Sequence, residues 1–137
     1  MDELQAVGRL LKRVQYRNHR AMDRALAEIG TTLVQWDALR VISEQPSAAA
    51  HALAVATFQS DQSFGTLATR LESQGLIRRS PGKGRAMQHH LTAAGVKMLA
   101  RGTDVSRVVV GRAFSALSKA DVAKLRELLQ RISETPE

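Results

Sequence analysis

Apolar residues recur every three or four positions through the first part of the chain. Leu4, Val7, Leu11 and Val14 step along one face, and Met22, Ala25, Leu26 and Ile29 resume it. That period predicts one long helix over 4–29, stopped by Gly30. Thr32 and Gln35 have the spacing of a capping box, with a hydroxyl at the N-cap and an amide three residues on. A second helix follows, with Leu33, Trp36, Leu39 and Ile42 facing inward and Pro46 just beyond its end.

Ser47 is placed to cap a short third helix, Ala48 to Ala56, and residues 57–60 make a tight connection. A fourth helix runs from about Asp61 to Gln74, with Phe64, Leu67, Ala68 and Leu71 on one face and Gly75 after it. Two short helices joined by a few residues have the layout of a helix-turn-helix. The period then changes. Residues 76–80 and 87–91 alternate like strands around the turn-rich tip Pro81-Gly82-Lys83-Gly84-Arg85, which predicts a β-hairpin wing. Thr92 caps a long fifth helix over 93–114. Ser118 and Asp121 open a last helix with Val122, Leu125, Leu129 and Ile132 as its apolar stripe.

The fold class expected is therefore mainly α with a small β-hairpin wing, a winged helix-turn-helix with N- and C-terminal dimerisation helices. The 137 residues form a single domain. Within it, 1–29 and 115–137 are the dimerisation helices, 30–92 the winged helix DNA-binding lobe and 93–114 a long connecting helix. The terminal helices exceed what one winged lobe needs, and their apolar stripes need a surface to cover. A homodimer is the economical answer.

Charge sharpens the picture. Twenty Lys and Arg stand against 13 Asp and Glu, a formal net charge of +7, which suits a polyanionic partner. No acid occurs from Ser73 to Thr103, whereas Arg78, Arg79, Lys83, Arg85, Lys97 and Arg101 are basic. That segregation is the footprint of phosphate contact. With Phe64, Leu67 and Leu71 turned inward, the fourth helix shows Gln62, Ser63, Thr66 and Arg70. These side chains suit an adenine edge, a guanine edge and a thymine methyl in the major groove. Lys83 and Arg85 on the wing tip suit a narrow minor groove. Gly65 is out of place inside a helix, where it costs roughly 0.5–1 kcal/mol relative to alanine. It either lets the backbone approach a phosphate or relieves crowding against the third helix.

Other chemistries find little support. The chain has no cysteine, which removes disulfides, thiolate zinc sites and cysteine nucleophiles. His19, His51, His89 and His90 do not form a tight cluster, and the last two point to opposite faces of a strand, so no metal is expected. No cofactor is expected either. Gly82-Lys83-Gly84-Arg85 lacks the phosphate-loop spacing, and neither a nucleophile elbow nor paired catalytic carboxylates occur, so the chain does not read as an enzyme. The longest apolar stretch, 48–58, is too short to span a membrane, and the N-terminus MDELQAVGRL has no signal-peptide core. Cytoplasmic localisation is expected.

Three segments carry a family resemblance. They are Gly30-Thr31-Thr32-Leu33-Val34-Gln35-Trp36, the run Arg70-Leu71-Glu72-Ser73-Gln74-Gly75-Leu76-Ile77-Arg78-Arg79, and Leu91-Thr92-Ala93-Ala94-Gly95 after the wing. In this order and spacing the sequence resembles the MarR family of bacterial regulators over nearly its whole length. The resemblance implies a triangular dimer with two winged lobes, joined through the terminal helices and bound to double-stranded DNA at an imperfect palindrome. It implies a sequence-specific transcriptional regulator, in most of the family a repressor released by a small anionic ligand, commonly aromatic or phenolic. The ligand would be received by Arg13, Arg17 or His19 with Trp36 and Arg40, although the arginine stripe of the first helix also reads as a solvated face or one paired with acids elsewhere. The chain departs from the family at Lys83, where an acid is frequent, at Thr66, where a base is common, at His51 and in its alanine-rich third helix. Two alternatives stay open: a constitutive DNA-binding regulator without an inducer, and a winged helix protein-interaction module.

Overall fold

The structure, a computed structural model, describes residues 2–82, 84 and 86–137. The wing-tip residues Lys83 and Arg85 lie outside the described residues. Helix α1 spans Glu3–Ala27. Asp2 caps it reciprocally: its carboxylate accepts the Gln5 N–H at 2.7 Å, and its own N–H donates to Gln5 Oε1 at 3.2 Å. The chain then reverses at Gly30, whose φ of +85° is open to glycine at no steric penalty.

Helix α2, Leu33–Glu44, starts on Thr32, whose hydroxyl accepts the Gln35 N–H at 3.2 Å. Only half of the expected capping box forms. Gln35 is buried and takes the Thr31 hydroxyl proton at 3.2 Å instead of reaching back to residue 32. Asp23 on α1 accepts the Leu33 N–H at 2.7 Å, so the first helix helps to cap the second.

Helix α3 is Ala50–Ala56, two residues shorter at its start than the sequence predicts. Its N-cap is Ala49, with no side-chain cap, and Ser47 does not cap it. The Ala48 N–H bonds to the Gln45 carbonyl at 3.1 Å, which draws Pro46 and Ser47 into a turn. Helix α4, Asp61–Ser73, begins at Ser60, whose hydroxyl accepts the Ser63 N–H at 3.0 Å.

Strands β1 (Ile77–Pro81) and β2 (Met87–Leu91) pair antiparallel, from Ile77 opposite Leu91 to Pro81 opposite Met87. The first strand sits one residue later than its apolar pattern predicts. Helix α5, Ala93–Ala113, is capped by Thr92, whose hydroxyl also donates to the Gly75 carbonyl at 2.6 Å. This bond joins the end of α4 to the start of α5. Helix α6, Lys119–Ser133, opens on a complete capping box between Ser118 and Asp121.

Two clusters make the core. The larger joins α2, α3, α4 and β1 through Leu39, Ile42, Leu53, Phe64, Leu71 and Ile77. The smaller joins Met22 and Leu26 of α1 to Trp36, and Leu99 of α5 packs against both. Close approach of α5 depends on glycine at two places. A Cβ at Gly95 would collide with the Leu76 carbonyl oxygen, and one at Gly102 with the Trp36 ring. Among the described residues, no helix is long and apolar enough to cross a membrane.

Candidate nucleic-acid interface

Helix α4 divides cleanly. Phe64, Ala68 and Leu71 are buried and Leu67 is partly buried, whereas Gln62, Ser63, Thr66 and Arg70 are exposed. The structure thus brings four of the expected DNA-contacting residues onto one open face. The Thr66 hydroxyl donates to the Gln62 carbonyl at 3.2 Å. Gly65 also lies exposed between them, and a Cβ there would meet nothing within 4 Å. The crowding reading of this glycine is therefore set aside: no intramolecular neighbour requires it.

The N-terminal end of α4 carries one acid, Asp61, which suits the positive end of the helix dipole but opposes a nucleic-acid phosphate. His51 of α3 lies against it, Nδ1 to Oδ1 at 2.8 Å, and both side chains are exposed.

The wing is fastened to α4 by a contact that the sequence pattern did not reveal. Glu72 accepts the Arg79 guanidinium at 2.9 Å and the Arg79 backbone N–H at 3.1 Å, and Arg79 also reaches Thr69 at 3.3 Å. The hydrogen bonds from Arg79 hold the Glu72 carboxyl below its ordinary range. This corrects one reading of the basic run. Arg79 is a structural clamp between wing and recognition helix, not a free phosphate ligand. Arg78 remains exposed.

Beneath this clamp, opposite Arg79 in the strand register, His89 is buried with its ring centroid 5.6 Å from that of Phe64. Its Nδ1 has no hydrogen-bond partner. Burial pushes the imidazole below its ordinary pKa, and the nearby Arg79 charge adds to the shift. Strand alternation places His89 and His90 on opposite faces, but it does not say which ring enters the core.

The five residues expected to hold a ligand do not converge. Trp36 is buried, and its indole N–H donates to the Leu99 carbonyl at 3.3 Å. Arg40 is held by Asp37 at 2.6 Å and Glu44 at 3.1 Å. Partial burial works against its charge, but the two carboxylates outweigh this and raise its pKa above the ordinary value. His19 pairs with Asp23 at 3.3 Å, and Arg13 is exposed on α1. Arg17 alone of the five lines the groove of about 720 Å³ between α1 and α5. There it joins Arg24, Arg112 and apolar walls that include Val14, Val105 and Val109. Asn18 in the same groove has a buried Oδ1 without a partner. Among the described residues, no group of three or more His, Asp or Glu side chains is placed to hold a metal.

Comparison with known proteins fits this geometry. A family model described as the MarR family matches residues 29–86, the segment from the end of α1 through the helix-turn-helix to the wing. The chain is 27% identical over 128 residues to the HTH-type transcriptional repressor Rv2887 of Mycobacterium tuberculosis, covering 92% of each protein. It is 25% identical over 122 residues to the HTH-type transcriptional repressor IacR of Pseudomonas putida, covering 88% of this chain and 73% of the relative. The crystal structure of Rv2887 in complex with salicylic acid superposes with a TM-score of 0.76 at 27% identity, over 91% of this chain and 94% of that one. With its recognition-helix face and its wing, the chain matches the MarR family model over residues 29–86 and is similar over most of its length to winged helix-turn-helix transcriptional repressors.

Proposed function

We propose that the chain is a cytoplasmic, sequence-specific DNA-binding repressor that acts as a homodimer and leaves its operator when a small aromatic anion binds. The exposed face of α4 carries this reading. Gln62, Ser63, Thr66 and Arg70 stand on a helix whose opposite face is locked into the core and whose end is clamped to the wing. Gln62 would read adenine, Arg70 guanine and the Thr66 methyl a thymine. Lys83 and Arg85 on the wing would enter the adjoining minor groove. The fold is that of an E. coli MarR mutant solved with operator DNA, at a TM-score of 0.85 and 20% identity.

Dimerisation is supported by what stays uncovered. Helix α6 buries no residue, and Val122, Leu128, Leu129 and Ile132 are exposed, as are Leu4, Val7, Leu11 and Val14 of α1. A second copy covering these faces would pair two recognition helices, and the operator would be an imperfect palindrome. The ligand reading rests on the α1–α5 groove, which sets guanidinium groups beside apolar walls, and on the relative solved with salicylic acid. In this reading Arg17, Arg24 and Arg112 meet the anion, and binding shifts the lobes out of operator spacing.

The test is a titration of the protein onto labelled duplex from its own upstream region, followed by fluorescence anisotropy at two salt concentrations against scrambled competitor. Binding that beats the scrambled duplex and falls with salt supports the reading. Equal binding to both duplexes overturns it. Added salicylate should then lower affinity, and an unchanged isotherm would favour a regulator without an inducer.

A further inference from the structure

Phe58 adopts a conformation that its own fold does not explain. Helix α3 ends with the Gln59 N–H bonded to the Ala54 carbonyl at 2.9 Å and the Phe58 N–H to the Val55 carbonyl at 3.1 Å. That pairing is a Schellman motif, which sends the residue after the cap into the left-handed region, where glycine is the usual occupant. Phe58 has a φ of +57°, the only positive φ of a non-glycine residue among the described residues. The Cβ of an L residue crowds the carbonyl in this conformation. No packing of the ring compensates, because the side chain is 93% exposed. A lone exposed aromatic needs no explanation. One held in a strained backbone does.

Its position supplies a reason. Phe58 stands two residues before Ser60, the N-cap of α4, at the end of the helix where Gln62 and Ser63 are exposed. Val55, 60% exposed, extends the apolar surface by one turn of α3. Two side chains are too little for the core of a protein interface. One ring suffices for a methyl group, and the apolar mark on a major-groove edge is the C5 methyl of thymine. We propose that Phe58 is a specificity-determining residue whose ring packs on a thymine methyl at the margin of each half-site. This rests on the DNA-binding reading of α4 given above.

The test compares the upstream duplex with the same duplex carrying deoxyuridine only for the thymidines at the margin of each half-site, located by footprinting, which removes the marginal methyl groups and leaves the thymine assigned to Thr66 intact. The parent should lose about tenfold in affinity on that change. Phe58→Gly should lose about as much on the thymine duplex, discriminate little between the two, and show Tm at or above the parent's. The two changes would then be strongly non-additive. Phe58→Leu should keep part of the discrimination. Three results overturn the proposal: parental affinity of Phe58→Gly for the thymine duplex, weaker binding with undiminished discrimination, or a Tm below the parent's, which would show the ring supporting the fold. If the parent itself does not prefer its upstream duplex to the scrambled one, the DNA-binding reading fails first, before any variant is compared, and this proposal falls with it.

Discussion

Helices α4 and α6 have similar apolar stripes at similar spacing, yet they end in opposite states. Helix α4 buries Phe64, Ala68 and Leu71 against α3 and the wing, whereas α6 leaves Val122, Leu128, Leu129 and Ile132 exposed. The same contrast runs through α1. Met22 and Leu26 near its end are buried, whereas its first half exposes Leu4, Val7, Leu10, Leu11 and Val14. Amphipathic period alone therefore says that a face will be covered, not by what. The winged lobe finds its cover within the chain. The stripes of the terminal helices stay open within the chain, and the proposed homodimer would cover them and recover the burial free energy that an open stripe forfeits.

The strongest way to break this comparison is to cut one residue from each stripe. Phe64→Ala removes a fully buried ring from the lobe and should lower unfolding free energy by about 3–5 kcal/mol at any protein concentration. Leu129→Asp should do something different in kind. It should leave the diluted chain near parental stability and shift sedimentation from dimer to monomer, with loss of operator affinity. The parent's Tm should rise with protein concentration, and that of Leu129→Asp should not. A parental Tm independent of concentration would mean that the exposed stripes have no partner, and the homodimer reading would fail.

A second prediction sharpens the contrast within the lobe, between its well-paired clamp and the unpaired ring beneath. Burial and, after it, the nearby Arg79 charge lower the pKa of His89 in the folded protein. The unfolded chain binds this proton near the ordinary value of 6.5. The unfolded state therefore takes up more protons as pH falls, and linkage sets the sign. The stability that His89 contributes is complete above about pH 6.5, is lost as pH drops from there toward the folded-state value, and levels off below it. Urea unfolding at pH 7.5 and 5.5 should show this fall, and His89→Val should remove most of it. An equally steep fall in the variant would place the titration elsewhere.

These contrasts also show how much the sequence makes legible. Helix period, the strand-like change after Gly75 and the turn residues around Gly84 locate six helices and a hairpin to within a residue or two. Local competition hides the rest. Ser47 has the chemistry of a cap, but the Pro46 turn takes it out of position. Gln35 could close a capping box, but Thr31 offers it a buried partner first. The Glu72–Arg79 clamp joins residues across a chain reversal, and no periodicity marks it. Trp36 looks like a ligand-facing aromatic until α5 brings the Leu99 carbonyl onto its indole, 63 residues away. The face of α4 was readable because it depends only on its own period. The proposed ligand region was not, because it depends on how α1, α2 and α5 meet.

The smallest effect separates folding from function at a single position. Gly65 lies in the one helix whose exposed side is proposed to touch DNA, and open space surrounds the site of a Cβ. For the isolated protein Gly65→Ala should therefore be favourable, raising unfolding free energy by roughly 0.5–1 kcal/mol through the lower backbone entropy of the unfolded chain. If the bare backbone lets α4 seat deeply in the groove, the same methyl should reduce operator affinity by about fivefold, equivalent to about 1 kcal/mol. Opposite signs in the two measurements would show that the lobe gives up stability for contact with its partner. A gain in stability with unchanged affinity would mean that the duplex never comes close to Gly65, and the glycine would have no role in binding.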